Sequence, residues 1–424
     1  MSGQIGTASE ALARAALRPV DARSRARARL HLLDWLACIA GAGRSDVAEM
    51  ARAAEPDMLT RAALRGNLLE MDDVDRQARL HPGPVLWPAV LAAARETDAT
   101  FAMLLDGFVA GVEAMVQLGR TLDAHHYGFW HPTATAGQAG AAVAAARIFG
   151  LDQGQTADAL GHSVSLAGGL WQVRHEPGAH TKAIHAAQAG LAGLWHARLA
   201  RAGFRGPRAI LEGPQGLWVA TTRAPHPLEA ADGWRVHELS FKPWAACRHA
   251  HPTIDAALAL PDDALAKGPI LVETYGDALA FCDRAEPRTP AEAKFSLQHC
   301  VAIVAVRGRP QLADFEPDAI ADPAIVAARA RVRVARAPEF DAAYPAHYGA
   351  RLAVGGAVAE VADAWGDPER PLDEEGLAGK LRALAAWGGL PEGEAEAALA
   401  LVRDHPDSAP AAPVVALVAR WMAA

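Results

Sequence analysis

The sequence predicts a mainly helical protein interrupted by one α+β insert: a large all-helical domain plus a smaller α/β domain. Three observations predict it. Up to about residue 260 the apolar residues recur at helical spacing and much of the apolar content is alanine, the best helix former. After Pro261 short runs of β-branched residues appear, and near Pro371 the helical pattern returns. At 424 residues the chain exceeds what one hydrophobic core ordinarily serves. The expected division is 1–262 for the first part of the helical domain, 263–367 for the insert and 368–424 for the helical return.

Taken in order, residues 24–42 place Ala28, Leu30, Leu32, Leu33, Leu36 and Ile39 at helical spacing, ending near Gly41 and Gly43. Residues 85–118 hold two helices broken around Thr97–Thr100. Residues 134–149 are nearly all small or apolar, the mark of a helix buried all round. Residues 179–203 form another helix closed by Gly203. Strands are expected at 270–275, 331–334, 351–354 and 358–361, with a helix over 293–306 between them. Asp373 is an expected N-cap, with Glu374 and Glu375 favourably placed in the first turn. The segment 411–424 is again apolar and helical, and the Pro/Ala-rich piece 407–413 reads as a short linker.

Composition narrows the function. The formal net charge is −8, without a basic stripe, so nucleic acid is not an expected partner. The densest basic run, Arg23 to Arg29, alternates with small residues and reads as a solvated helix face. Cys38, Cys247, Cys282 and Cys300 form no CxxC pair, which argues against a disulfide scaffold or a structural zinc site. No leader pattern opens the chain and no run approaches 18 uninterrupted apolar residues, so the cytoplasm is the expected location and no membrane is an expected partner. The P-loop, the GxGxxG fingerprint and HExxH are missing. Gly161-His162-Ser163-Val164-Ser165 nearly matches a nucleophile elbow, but it lacks the last glycine and lies in a helical stretch.

Five segments concentrate polar residues in apolar surroundings. Glu70-Met71-Asp72-Asp73-Val74-Asp75 precedes His81-Pro82-Gly83. Four carboxylates in six residues are costly together unless solvent or cations share the site, and taken alone the segment reads as a solvated acidic loop. His125-His126-Tyr127-Gly128-Phe129-Trp130-His131-Pro132-Thr133 lies just before the small-residue helix, whose N-terminal N–H groups suit a carboxylate. A metal site and an aromatic loop packing on the core are the alternatives, although His125 and His126 would point apart. His180-Thr181-Lys182-Ala183-Ile184-His185 leads into an alanine-rich helix, where a buried lysine would be expensive without an anion; the lysine could equally extend to water. Phe241-Lys242-Pro243-Trp244-Ala245-Ala246-Cys247-Arg248-His249-Ala250-His251-Pro252 joins cations to a cysteine and two histidines. Arginine suits bidentate carboxylate binding, and lysine can act as a base when its pKa is depressed. No base for Cys247 is identifiable from spacing, and His249 with His251 is a weak metal pair. The fifth segment, Ala293 to Cys300, reads alone as an amphipathic helix start.

Together the five segments resemble the MmgE/PrpD family, whose members carry D-x-D-D-T before HP, then GFHPT-x-TAG, TK-x-x-H, KP-x-x-CCRH-x-HP and AKFSL-x-YC. The counterparts are Glu70 to Val74 with His81-Pro82, Gly128 to Gly137, Thr181 to His185, Lys242 to Pro252, and Ala293 to Cys300. Order and spacing match over most of the chain. The resemblance implies a helical domain with a smaller α/β lid, a homodimer, and a site between the two domains that needs no metal or organic cofactor. It implies a small polycarboxylate as substrate and 2-methylcitrate dehydratase-like, cis-aconitate decarboxylase-like or iminodisuccinate epimerase-like chemistry. Matching positions give Glu70, Val74, His81, His131, Lys182, Lys242 and Cys247 as site residues. Of these expectations a lyase of the hydro-lyase type comes first and an epimerase or decarboxylase second; a catalytically inactive carboxylate binder is the alternative of another class.

Departures bear on the substrate. Glu70 stands for the usual aspartate, Val74 for the threonine, Ala246 for the first cysteine of the pair, and Trp130 is inserted. Val74 removes a hydroxyl that could bind substrate or assist a leaving group, while Glu70 and Trp130 would shrink the pocket. The expected mechanism sets Lys242 and either Tyr127 or His131 as opposing acid and base. His81 and Lys182 orient carboxylates, and His185, Cys247 and Arg248 complete the binding set.

Overall fold

The structure is a computed structural model that describes residues 6–55, 57–176, 178–229, 232–261, 263–266 and 268–423. Among the described residues, the chain opens with eleven α-helices: α1 (Ala8–Ala16), α2 (Ala22–Gly41), α3 (Asp46–Ala54), α4 (Met58–Arg65), α5 (Gly83–Arg95), α6 (Phe101–Arg120), α7 (Ala124–Phe129), α8 (Pro132–Ile148), α9 (Gln153–Ser165), α10 (Thr181–Arg201) and α11 (Leu217–Thr221). There follow α12 (His251–Leu258), β1 (Ile270–Thr274), α13 (Gly276–Cys282), α14 (Pro290–Lys294), α15 (Leu297–Arg307), α16 (Pro317–Ala321), α17 (Pro323–Arg329), β2 (Val332–Arg336), α18 (Pro338–Ala343), β3 (Ala350–Val354) and β4 (Ala357–Val361). The helical return is α19 (Glu374–Gly388), α20 (Glu394–Asp404) and α21 (Ala412–Ala423).

Two compact units result. The first comprises residues 1–68, 72–239 and 373–424, and the second 69–71 and 240–372. In the first, α8 is the central helix, buried along nearly its whole length and packed against α5, α6, α9 and α10. Its composition explains that position, because glycine lets backbones touch where any side chain would hold them apart. A Cβ on Gly140 would meet Met115 Cβ at 2.6 Å, and one on Gly193 of α10 would meet the Gln138 carbonyl at 2.5 Å. Helix α6 has the length and hydropathy to cross a membrane, but it is a core helix here, 83% buried over its most apolar window. The return docks through α19 on α2, where Lys380 Nζ reaches Asp34 at 2.6 Å and both are buried.

The second unit holds a four-stranded sheet in the order β2-β1-β3-β4, with β1 and β2 parallel and the other pairs antiparallel. Ile270, Val272 and Thr274 of β1 point into the core and alternate with Leu271 and Glu273, as a one-face-buried strand requires. The β3–β4 turn uses Gly355 and Gly356, both at positive φ, the conformation a tight hairpin turn demands.

The expected helices and strands form, with four corrections. The arginine run is only in part a solvated face: Arg23 is exposed, but Arg25 pairs with Asp106 at 2.7 Å, Arg27 donates to the Leu239 carbonyl and Arg29 to the Val402 carbonyl. The helix expected over 293–306 is two, α14 and α15, because Ser296 leaves helical geometry and its Oγ caps the His299 N–H at 3.0 Å. The second unit begins at Ser240, before the change of composition at Pro261, because α12 packs on α15, β3 and β4. The piece 407–413 is tied down rather than loose: the Phe101 N–H donates to the Ala409 carbonyl and the Ala102 N–H to the Asp407 carbonyl.

Candidate functional site

The acidic segment is buried rather than solvated, and each of its carboxylates has a partner. Asp75 binds Arg120 and the Ala78 N–H. Asp73 accepts from the Gly83 N–H at 2.7 Å and faces His31 Nδ1 at 2.7 Å. Burial pushes its carboxyl up to about 7, against the Gly83 bond that lowers it. Asp72 accepts from Asn67 at 2.6 Å and lies 3.0 Å from His81 Nδ1. Glu70 belongs to the second unit and lies 3.9 Å from Lys242 Nζ. Its φ of 57° is a left-handed conformation that costs a non-glycine residue about 1–2 kcal/mol.

In the first unit, the N-terminal ends of two long helices lie together: the His81 N–H, just before α5, donates to Thr133 Oγ1 in the first turn of α8 at 3.1 Å. The His81 side chain is fixed from behind. Its Nδ1 faces the Asp73 carbonyl at 2.9 Å and the Asp72 carboxylate. Both are acceptors, so the proton sits on Nδ1 and Nε2 is the nitrogen presented for chemistry.

His131 caps α8 with extended backbone, its N–H donating to the Gly169 carbonyl at 2.7 Å. The ring is buried under Trp171, centroids 4.3 Å apart, and its Nδ1 lies 3.3 Å from His185 Nδ1. Burial first, then nearby Lys182 and the His81 and His185 rings, hold its pKa well below 6.5, with Asp72 opposing. The imidazole is therefore neutral at neutral pH and fit to accept a proton. His185 and Lys182 share the first turns of α10, both half-buried; burial and then Lys182 lower the His185 pKa as well. Tyr127 is buried beneath the Arg79 guanidinium, which stands 4.3 Å above its ring, with Trp171 edge-on. Val74 is buried.

The second unit groups Glu70, Lys242, Cys247 and Arg248. Lys242 is fully buried, a position a cation tolerates only with a countercharge such as Glu70. Arg248 is engaged by Asp367 and lies over the Tyr348 ring. Cys247 is buried, its N–H donating to the Lys294 carbonyl, and its thiol hydrogen-bonds that of Cys282. Burial and that bond raise the Cys282 thiol, an environment that disfavours a thiolate nucleophile.

Several histidines prove structural. His126 is buried between Thr221 and Thr135, its pKa lowered to about 4 by burial, and it diverges from His125, which packs on Phe129. His249 bonds Tyr275 and stacks on Tyr348, while His251 bonds the Ala246 carbonyl, so the two do not converge on an ion. Among the described residues, His347, Asp363 and Glu369 bring ligand atoms within 4.8 Å of one another, and none of them is an expected site residue. Sequence reasoning missed Asp72 as the partner of His81 and Trp171 as the cover of His131. The acidic cluster hinted at the first; nothing local marks the second.

The comparisons agree with the motifs. Residues 63–229 match the MmgE/PrpD N-terminal domain and residues 244–408 the MmgE/PrpD C-terminal domain. The chain belongs to the MmgE/PrpD family. Its curated relatives include the cis-aconitate decarboxylase-like protein oryM of Aspergillus oryzae, 30% identical over 171 residues, which are 37% of this chain and 34% of that protein. They also include a cis-aconitate decarboxylase of Aspergillus terreus, 26% identical over 207 residues, 44% of this chain and 41% of that protein. The matched stretches thus span well under half the length of these relatives.

Proposed function

We propose that this protein is an enzyme, a lyase that moves a proton at a carbon beside a carboxylate in a small di- or tricarboxylic acid. The observation that carries the reading is the cluster in the first unit: His131, buried and held neutral, beside Lys182, His185 and His81. A carbon next to a carboxylate is a weak acid, and the enolate formed on losing its proton needs fixed positive charge nearby. Lys182 and the N-terminal end of α8 supply such charge and attract polyanions. His131 is the base. His81, its Nδ1–H held by Asp72 and the Asp73 carbonyl, presents Nε2 to the substrate and, once that nitrogen is also protonated, donates from it to a carboxylate or a leaving oxygen. By resemblance to the family, Lys242 performs the opposing proton transfer, with Glu70 as its charge partner.

Loss of water from a 2-methylcitrate-like acid is the first form of the reaction. The decarboxylase names of the relatives favour a second form, in which the bond to a carboxyl group breaks at the same site. Val74, without a hydroxyl, points to an acid other than 2-methylcitrate or cis-aconitate themselves. The test is proton NMR in deuterated water with citrate, 2-methylcitrate, cis-aconitate, malate, tartrate and iminodisuccinate. Deuterium entering beside a carboxylate supports the reading, and the product identifies the bond broken. Binding of these acids without exchange in any of them would replace the enzyme reading with that of a carboxylate binder.

A further inference from the structure

His131 is 1% exposed, so its ring is shielded from bulk water. Trp171 covers one side of its ring. Gly169 closes another at φ +100°, where a Cβ would lie 3.7 Å from both the His131 and the His185 side chains. His131 Nδ1 instead meets His185 Nδ1 at 3.3 Å, with ring centroids 5.5 Å apart and planes tilted by 51°. His185 is half-buried and sits in the exposed-edged first turns of α10. Two Nδ1 atoms at that distance make a hydrogen bond only if one carries the proton and the other does not, so the two neutral rings hold opposite tautomers.

From this geometry we infer that His185 is a proton relay, the path by which the proton taken up by buried His131 reaches solvent. The inference rests on the reading of His131 as the base. The step balances. His131 Nε2 takes the proton from the carbon as the C–H bond breaks and its electron pair passes into the enolate. His131 Nδ1 gives its own proton to His185 Nδ1, and His185 releases its Nε2 proton to water. Run backwards, the same path supplies a proton to the product or the leaving group. The charges beside His131 agree with the direction of flow: Lys182 opposes a lasting imidazolium there, and Asp72 favours one. His185 is half-buried where His131 is buried, so it is the better temporary holder of the charge.

The test uses the full chain with His185→Asn, whose amide can hold His131 in place but cannot pass a proton, and His185→Ala with and without added imidazole. On an acid that the wild type deuterates, His185→Asn lowers wash-in and kcat by about 10²-fold with KM changed less than twofold. Imidazole restores part of the loss in His185→Ala. Wild-type wash-in by His185→Asn, or no rescue of folded His185→Ala, overturns the relay. A second readout needs no substrate: ¹⁵N-histidine spectra show His131 and His185 as opposite tautomers, and the His131 ring proton exchanges more slowly with water in His185→Asn. Two Nε2–H tautomers, or unchanged exchange, overturn the relay even if every acid on the panel proves inert, an outcome that would count against the proposed chemistry alone.

Discussion

Replacing Lys380 with methionine tests how the first unit holds its buried charges. Lys380 Nζ lies 2.6 Å from Asp34, and the two side chains are 4% and 1% exposed. Removing one member of such a pair strands the other, at a cost of about 3–5 kcal/mol. Here the loss depends on pH. Asp34 is already raised from 3.8 to about 6, burial outweighing the Lys380 charge and hydrogen bond that lower it. A carboxyl whose folded pKa lies above its unfolded one binds its proton more tightly when folded. That contribution is fully present below 3.8 and is lost as pH rises through about 6. Without Lys380 the folded pKa climbs further, so the variant carries a stranded carboxylate at pH 8 and a neutral carboxyl at pH 5. Thermal and urea unfolding at both values, against the wild type, should show the full loss at pH 8, about 5–8 °C in midpoint. Most of the loss should be gone at pH 5. An equal loss at the two pH values, or a loss below about 1 kcal/mol at pH 8, would refute the reasoning. Adding Asp34→Asn should recover much of the stability at pH 8.

Three further outcomes are expected. Lys242→Ala abolishes turnover on any acid the wild type converts while circular dichroism stays native; retained activity would sink the assignment of that lysine. Asp72→Asn keeps substrate binding but lowers kcat by about 10–100-fold, because His81 loses the carboxylate that fixes its orientation; an unchanged kcat would show that the Asp73 carbonyl suffices. Gly388→Ala drives a Cβ to 1.9 Å from the Ala40 carbonyl where α19 meets α2, and calorimetry should record destabilisation of about 3 kcal/mol or more.

Periodicity made the helices and strands legible because burial imposes it directly: α8 is apolar all round since it is surrounded, and β1 alternates since one face is covered. The same logic misread the arginines of α2. Their spacing resembles a solvated face, but the acids and carbonyls that receive them are distant in sequence, Asp106, Leu239 and Val402 among them. Ser296 splits a helix because its side chain caps the next turn, a local bond that hydrophobic spacing does not register. At the site, the residue types were visible as motifs and their partners were not. His81 and His131 stand out in the sequence, whereas the bond from Asp72, the cover of Trp171 and the Lys380–Asp34 pair need chain segments brought together from up to 346 positions apart.

The glycine contacts of the helical unit set its tolerances. Gly190 of α10 lies so near α5 that a Cβ would stand 2.5 Å from the Val85 carbonyl, and Gly193 stands as close to α8. These three helices carry His81, His131 and His185 at or near their starts. The spacing of the imidazoles is thus gauged by main chain against main chain, with no side-chain cushion to swell or shrink. Such a frame leaves little play for sliding one helix past another. Variation among relatives, or deliberate retargeting to another acid, would accordingly proceed by exchanging the tips and leaving the scaffold alone.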